Sequence, residues 1–154
     1  MTKDTLILWL LAPAGSGKSA ILQNIAEEFD ESGRLAASFF FSRTVAKRNT
    51  ENHLISTIAY QLARSIPAAG RYIEEAVDYD PSIFGRTLQV QLERLFIQPL
   101  VRASRLDPHS GAHWPTVLVI DGLDECDGNQ NQVSILSAFQ DALLKLRVDR
   151  KSVV

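Results

Sequence analysis

The chain is poor in the residues that staple, target or anchor a protein. Cysteine occurs once in 154 residues, as Cys126, so no disulfide can close within the chain. A reducing, intracellular setting is the natural expectation, and we read the protein as cytoplasmic. No apolar stretch reaches the roughly 20 residues that a bilayer-spanning helix needs, so no membrane association is expected. The run Leu6–Leu11, preceded by Lys3 and Asp4, is too short for a signal peptide. Excess positive charge is also missing. Lys and Arg total 16 against 18 Asp and Glu, a net charge of -2, which argues against a general nucleic-acid binder. His53, His109 and His113 have no partners at metal-ligand spacing. Internal repeats and low-complexity tracts are absent. What remains is 45% hydrophobic and of a length that suits one domain with one core.

The apolar pattern suggests alternating strands and helices. Leu6–Leu11 is continuously apolar, as in a strand buried on both faces. Ile21, Ile25 and Phe29 recur at helical spacing, and Gly33 closes that helix. Leu35–Phe41 reads as a strand and 42–52 as a polar loop, in which Arg43, Lys47 and Arg48 form a solvated basic face. Leu54, Ile58 and Leu62 mark a helix that Pro67 stops. A shorter helix over 68–79 follows, with Tyr72, Ile73, Ala76 and Val77 inward, and Asp80-Pro81 ends it. Thr87 caps a helix whose inner face is Leu88, Leu92, Leu95 and Phe96. Residues 102–115 are a loop by composition. Thr116–Asp121 is a further strand, and 129–147 a last helix with Val133, Leu136, Phe139, Leu143 and Leu146 on one side. The alternation predicts an α/β fold with a mainly parallel sheet flanked by helices.

Chemistry concentrates in two places. The first is Ala12-Pro13-Ala14-Gly15-Ser16-Gly17-Lys18-Ser19, placed after a predicted strand and at the start of a predicted helix. Its glycines allow backbone conformations closed to other residues, so Ala14, Gly15, Ser16 and Gly17 can bring successive amides close to a phosphate. The helix dipole adds a positive end. Lys18 is expected to reach the β- and γ-phosphates, and Ser19 to offer its hydroxyl to Mg2+. The usual motif begins with glycine, and Ala12 stands in that place.

The second place is Val117-Leu118-Val119-Ile120-Asp121, an apolar strand ending in an acid, followed by Gly122-Leu123-Asp124-Glu125. An acid at such a strand end can hold Mg2+ through water, and we assign that role to Asp121. Asp124 or Glu125 can polarise an attacking water as general base, with Glu125 the preferred candidate. Cys126 beside them has no activating partner and reads as a packing residue. The cofactors expected are a nucleoside triphosphate, ATP or GTP, with Mg2+.

Several separate segments carry a family resemblance. They are Leu8-Trp9-Leu10, Gly15-Ser16-Gly17-Lys18-Ser19-Ala20-Ile21, the run from Leu35 to Arg43, Ile58-Ala59-Tyr60-Gln61-Leu62, and the run from Val119 to Asp127. Together they resemble the NACHT-type signal-transduction ATPases of fungi, the form with a nephrocystin-3-like N-terminal domain. The resemblance extends to about Arg147. It implies a P-loop NTPase fold and a nucleotide-dependent switch, which holds ADP at rest, exchanges it for ATP, self-associates in its full-length form and resets by slow hydrolysis. It assigns Lys18 and Ser19 to the phosphate loop, Asp121 to the magnesium acid, and Asp124 with Glu125 to the second acidic pair. It also implies a further strand ending in a γ-phosphate-sensing arginine, lying in the sheet between the phosphate-loop strand and the Asp121 strand, and then a winged-helix module. Here Val148–Val154 follows the last helix instead. The expectation is therefore a C-terminally truncated nucleotide-binding domain over 1–147 with an atypical tail over 148–154. Two other readings stay open: a small kinase built on the same loop, and a non-catalytic fragment that acts only as an interaction module.

Overall fold

The computed structural model describes residues 17–106, 109 and 113–151. The strand expected at Leu6–Leu11 and the loop residues Ala14, Gly15 and Ser16 lie outside them. In order, the elements are α1 (Lys18–Glu31), β1 (Leu35–Phe40), α2 (Leu54–Ser65), α3 (Pro67–Tyr79), α4 (Leu88–Leu92), a π-helical segment (Glu93–Ile97), α5 (Gln98–Leu106), β2 (Val117–Asp121) and α6 (Asn129–Lys151). Short 3-10 turns occupy Glu51–His53, Ile83–Gly85 and Leu123–Glu125.

This architecture overturns the expected fold class. Helix makes up 69% of the described residues, and their sheet has two parallel strands, β1 beside β2. The protein is mostly helical rather than a P-loop α/β sheet flanked by helices. Packing gives the reason. The largest fully buried side chains are Leu54, Ile55, Ile58, Leu62, Ile83, Leu92, Leu95, Pro99 and Ile135, and none of them comes from a strand. Helix α3 packs on both α2 and α5, and α2 also covers β1. The sheet is thus one wall of a helical core.

Side chains of α2 close the outer edge of β1. Gln61 Oε1 accepts from the Ser38 amide at 3.0 Å, and Gln61 Nε2 donates to the Ser38 carbonyl at 2.7 Å. Ser65 Oγ donates to the Ala36 carbonyl at 2.8 Å. A strand edge left bare would carry unpaired backbone groups. Here a glutamine and a serine take the place of a neighbouring strand. The other side of β1 pairs with β2, from Leu35 opposite Val117 to Phe40 opposite Asp121.

Local expectations fare better than the class. The helix from Lys18, the strands at 35–40 and 117–121, and the break at Pro67 all appear, with Pro67 opening α3 at its first turn. Thr87 Oγ1 accepts from the Val90 amide at 3.4 Å, so it does cap α4. Three points differ. The helix begun at Leu88 runs into the first part of the expected loop, to Leu106, and buries Ala103 there. Pro99 sits inside it and has no N–H to give the Leu95 carbonyl. The π-helical turn just before it absorbs the misfit, and the Gln98 amide reaches back to the Glu93 carbonyl. The inner face of α6 is Ile135, Ala138, Phe139 and Ala142, whereas Val133 is 61% exposed. Finally, α6 runs on to Lys151 where a break after 147 was expected, so residues 148–151 are helix.

Candidate functional site

Parallel pairing puts the ends of β1 and β2 together. The Phe41 amide donates to the Asp121 carbonyl at 2.9 Å, so the ladder closes beside the acid. Gly122 then turns the chain with φ +69. A Cβ there would stand 2.8 Å from the Phe41 carbonyl oxygen, so only glycine fits both the backbone angle and the close approach.

Helix α1 brings the end of the glycine-rich segment to the same side. It packs against both strands. Only Ser32, Gly33 and Arg34 separate it from β1, and Gly33 has φ +70. The Arg34 amide donates to the Phe29 carbonyl at 2.7 Å, so the chain reverses tightly. The 14 residues of α1 span roughly 21 Å and the 6 of β1 roughly 20 Å. With matched lengths and a three-residue connection, α1 turns back along the layer and carries Gly17, Lys18 and Ser19 toward the end where Asp121 lies. Gly17 is the N-cap, in the left-handed region at φ +84. As a glycine it offers no side chain to cap the first amides of the helix. Lys18 is half-buried and Ser19 exposed.

Asp121 is 8% exposed. Neither its carboxylate nor the Lys18 ammonium has a hydrogen-bond or ion-pair partner among the described residues. No side-chain oxygen or nitrogen among the described residues is both fully buried and unpartnered, so the Asp121 carboxylate keeps contact with solvent at the strand end. The described residues hold no group of three or more His, Cys, Asp or Glu fit to cage a metal. Mg2+ needs no such cage, since it keeps several waters and takes one or two protein oxygens. Asp121 and the Ser19 hydroxyl fit that demand by chemistry.

The acidic turn is held from the other loop. Glu125 Oε2 accepts from the Arg43 amide at 3.0 Å, and Arg43 Nη2 donates to the Asp124 carbonyl at 3.0 Å. The Asp127 amide donates to the Asn49 carbonyl at 2.8 Å, and Asn49 Nδ2 to Asp127 Oδ2 at 3.4 Å. Gln132, on α6, donates through Nε2 to the Cys126 carbonyl at 3.1 Å. Asp124 itself is exposed. The sequence reading missed Arg43, which it placed on a solvated face. Only the adjacency of β1 and β2 brings Arg43 to the acids, and no local pattern records that adjacency. Cys126 is buried beside the turn. Burial and the charges of Glu51 and Asp127 raise its thiol pKa, which fits a packing residue.

A family model described as Nephrocystin 3, N-terminal, matches residues 1–151. The chain belongs to this nephrocystin-3 N-terminal family. No curated protein and no solved structure matches it. The match spans α1, both strands and α6, so the residues gathered at the strand ends all fall within the family region. Among the described residues, no helix is long and apolar enough to cross a membrane.

Proposed function

We propose that this nephrocystin-3 N-terminal domain is the nucleotide-binding module of a fungal NACHT-type signal-transduction ATPase. It binds a nucleoside triphosphate, with ATP the first candidate, together with Mg2+, and hydrolyses it slowly. It self-associates in step with the bound nucleotide. One observation carries the reading. The start of α1, with Gly17, Lys18 and Ser19, turns back toward the end of the strand layer that holds Asp121, whose carboxylate has no protein partner among the described residues, and the turn bearing Asp124 and Glu125. A cation, a helix N-terminus and an acid for Mg2+ are what a triphosphate requires. The function rests on the site and not on the fold. The acids favour activation of water over phosphoryl transfer to a metabolite.

Calorimetric titration of the full chain with MgATP tests the reading. We expect saturable binding that Lys18→Ala weakens at least tenfold, about 1.4 kcal/mol. Affinity unchanged by Lys18→Ala would sink it. No binding by the wild-type chain would favour the interaction-module reading.

A further inference from the structure

The two-point contact between Arg43 and the acidic turn has a consequence for the proposed hydrolysis. Arg43 follows β1 at the strand ends, and its side chain is exposed. Its amide occupies Glu125 Oε2, and its guanidinium holds the carbonyl of the residue before, Asp124. Glu125 Oε1 has no partner among the described residues. A free glutamate samples many rotamers; this one is pinned through one oxygen and presents the other. Freezing a base in one orientation is what makes proton abstraction efficient.

We propose that Arg43 is a positioning residue, which sets the carboxylate of Glu125 for its role as general base. This rests on the nucleotide-hydrolysing reading above. In the reaction the water oxygen bonds to the γ-phosphorus. The bond from that phosphorus to the β–γ bridging oxygen breaks, and ADP departs with that oxygen. The water's proton passes to Glu125 Oε1 and from there to solvent. Arg43 touches none of the reacting atoms. Its side chain acts on Glu125 through the Asp124 carbonyl, which steadies the turn that carries the base, while its amide holds Oε2 directly; Arg43→Ala removes the first contact and keeps the second, so its loss should change the rate and not the affinity.

The test uses the full chain, single-turnover ATP hydrolysis, MgATP calorimetry and thermal melting. Arg43→Ala should lower the hydrolysis rate at least tenfold while the dissociation constant stays within twofold. Arg43→Lys, which keeps a cationic donor without the planar fork, should fall between. In a Glu125→Gln background, Arg43→Ala should add no further loss, because both changes disable one unit. A merely structural contact gives a different result: binding and hydrolysis decline together, or the two losses multiply, and either overturns the proposal. Wild-type binding without any hydrolysis also overturns it while leaving the nucleotide reading intact. A wild-type chain that binds no MgATP removes that reading, and this inference with it. If Arg43→Ala melts below the assay temperature, Arg43→Lys and its double variant with Glu125→Gln carry the same comparison.

Discussion

Two glycines with the same backbone angle should differ sharply when replaced by alanine. Gly33 has φ +70 and Gly122 has φ +69. Alanine in the left-handed region costs about 1–2 kcal/mol. It also stiffens the unfolded chain, which returns about 0.4–1 kcal/mol. For Gly33 nothing lies within 4 Å of the added Cβ, so Gly33→Ala should cost about 1 kcal/mol in total. For Gly122 the Cβ would stand 2.8 Å from the Phe41 carbonyl oxygen, and backbone cannot swing aside as a side-chain tip can. Overpacking of that kind adds about 1–3 kcal/mol, so Gly122→Ala should cost about 3 kcal/mol. With a urea m-value near 2 kcal/mol/M, the unfolding midpoint should fall by about 1.5 M for Gly122→Ala and about 0.5 M for Gly33→Ala. Helical circular dichroism follows both transitions. Moving the Phe41 carbonyl also disturbs the Phe41–Asp121 hydrogen bond, so Gly122→Ala should weaken nucleotide binding as well. Equal midpoints for the two variants would refute the claim that close approach, and not the angle alone, fixes Gly122.

Two further outcomes follow from the described contacts. Gln61→Leu strips the Ser38 amide and carbonyl of their partners, and at about 1–3 kcal/mol for a buried orphan group, discounted for partial burial to about 2 kcal/mol in all, the urea midpoint should drop by about 1 M; faster hydrogen exchange of the Ser38 amide is the local readout, and an unchanged rate contradicts the edge-capping role. Asp80 accepts hydrogen bonds from Ser82 and Arg86, and these, with the Arg86 charge, hold its carboxyl below the usual 3.8. A lowered folded-state pKa contributes stability above the unfolded value that is lost as pH falls through the folded one, so Asp80→Asn should flatten the acid limb of a stability profile below about pH 4 while leaving its shape near neutrality; an identical acid limb would count against the Arg86 and Arg94 pairing.

The elements were more legible than their assembly. Pro67, Thr87 and the apolar runs at 35–40 and 117–121 announce themselves through local chemistry: a missing N–H, a capping hydroxyl, a strand-like run of apolar side chains. The same local signals misjudged faces. Val133 and Ile135 both suit a buried stripe, and only the partners of α6 select Ile135. Ile21 was expected inward yet is 49% exposed, because α1 turns Ala26 to the core instead. Composition suggested a loop after Val101 because charge and proline density rise there, but a helix already begun at Leu88 buries Val101 and Ala103 on its way to Leu106.

The fold class went astray for a reason visible in Gln61. Alternating strands and helices imply a wide parallel sheet only if each strand edge finds another strand. At β1 the outer edge finds an amide side chain with one acceptor and one donor, spaced to match a backbone N–H and C=O. A glutamine at the right turn of α2 can therefore end a sheet, and nothing in a periodicity pattern distinguishes it from a solvated glutamine. The proposed site does not depend on a wide sheet. Lys18, Asp121, Asp124 and Glu125 need only two adjacent parallel strands and one helix packed on them, and the described residues supply both. Function of this kind depends on which strand ends are neighbours, and that is also why Arg43 escaped the sequence: its partners lie more than eighty residues away, across a pairing that the sequence alone does not record.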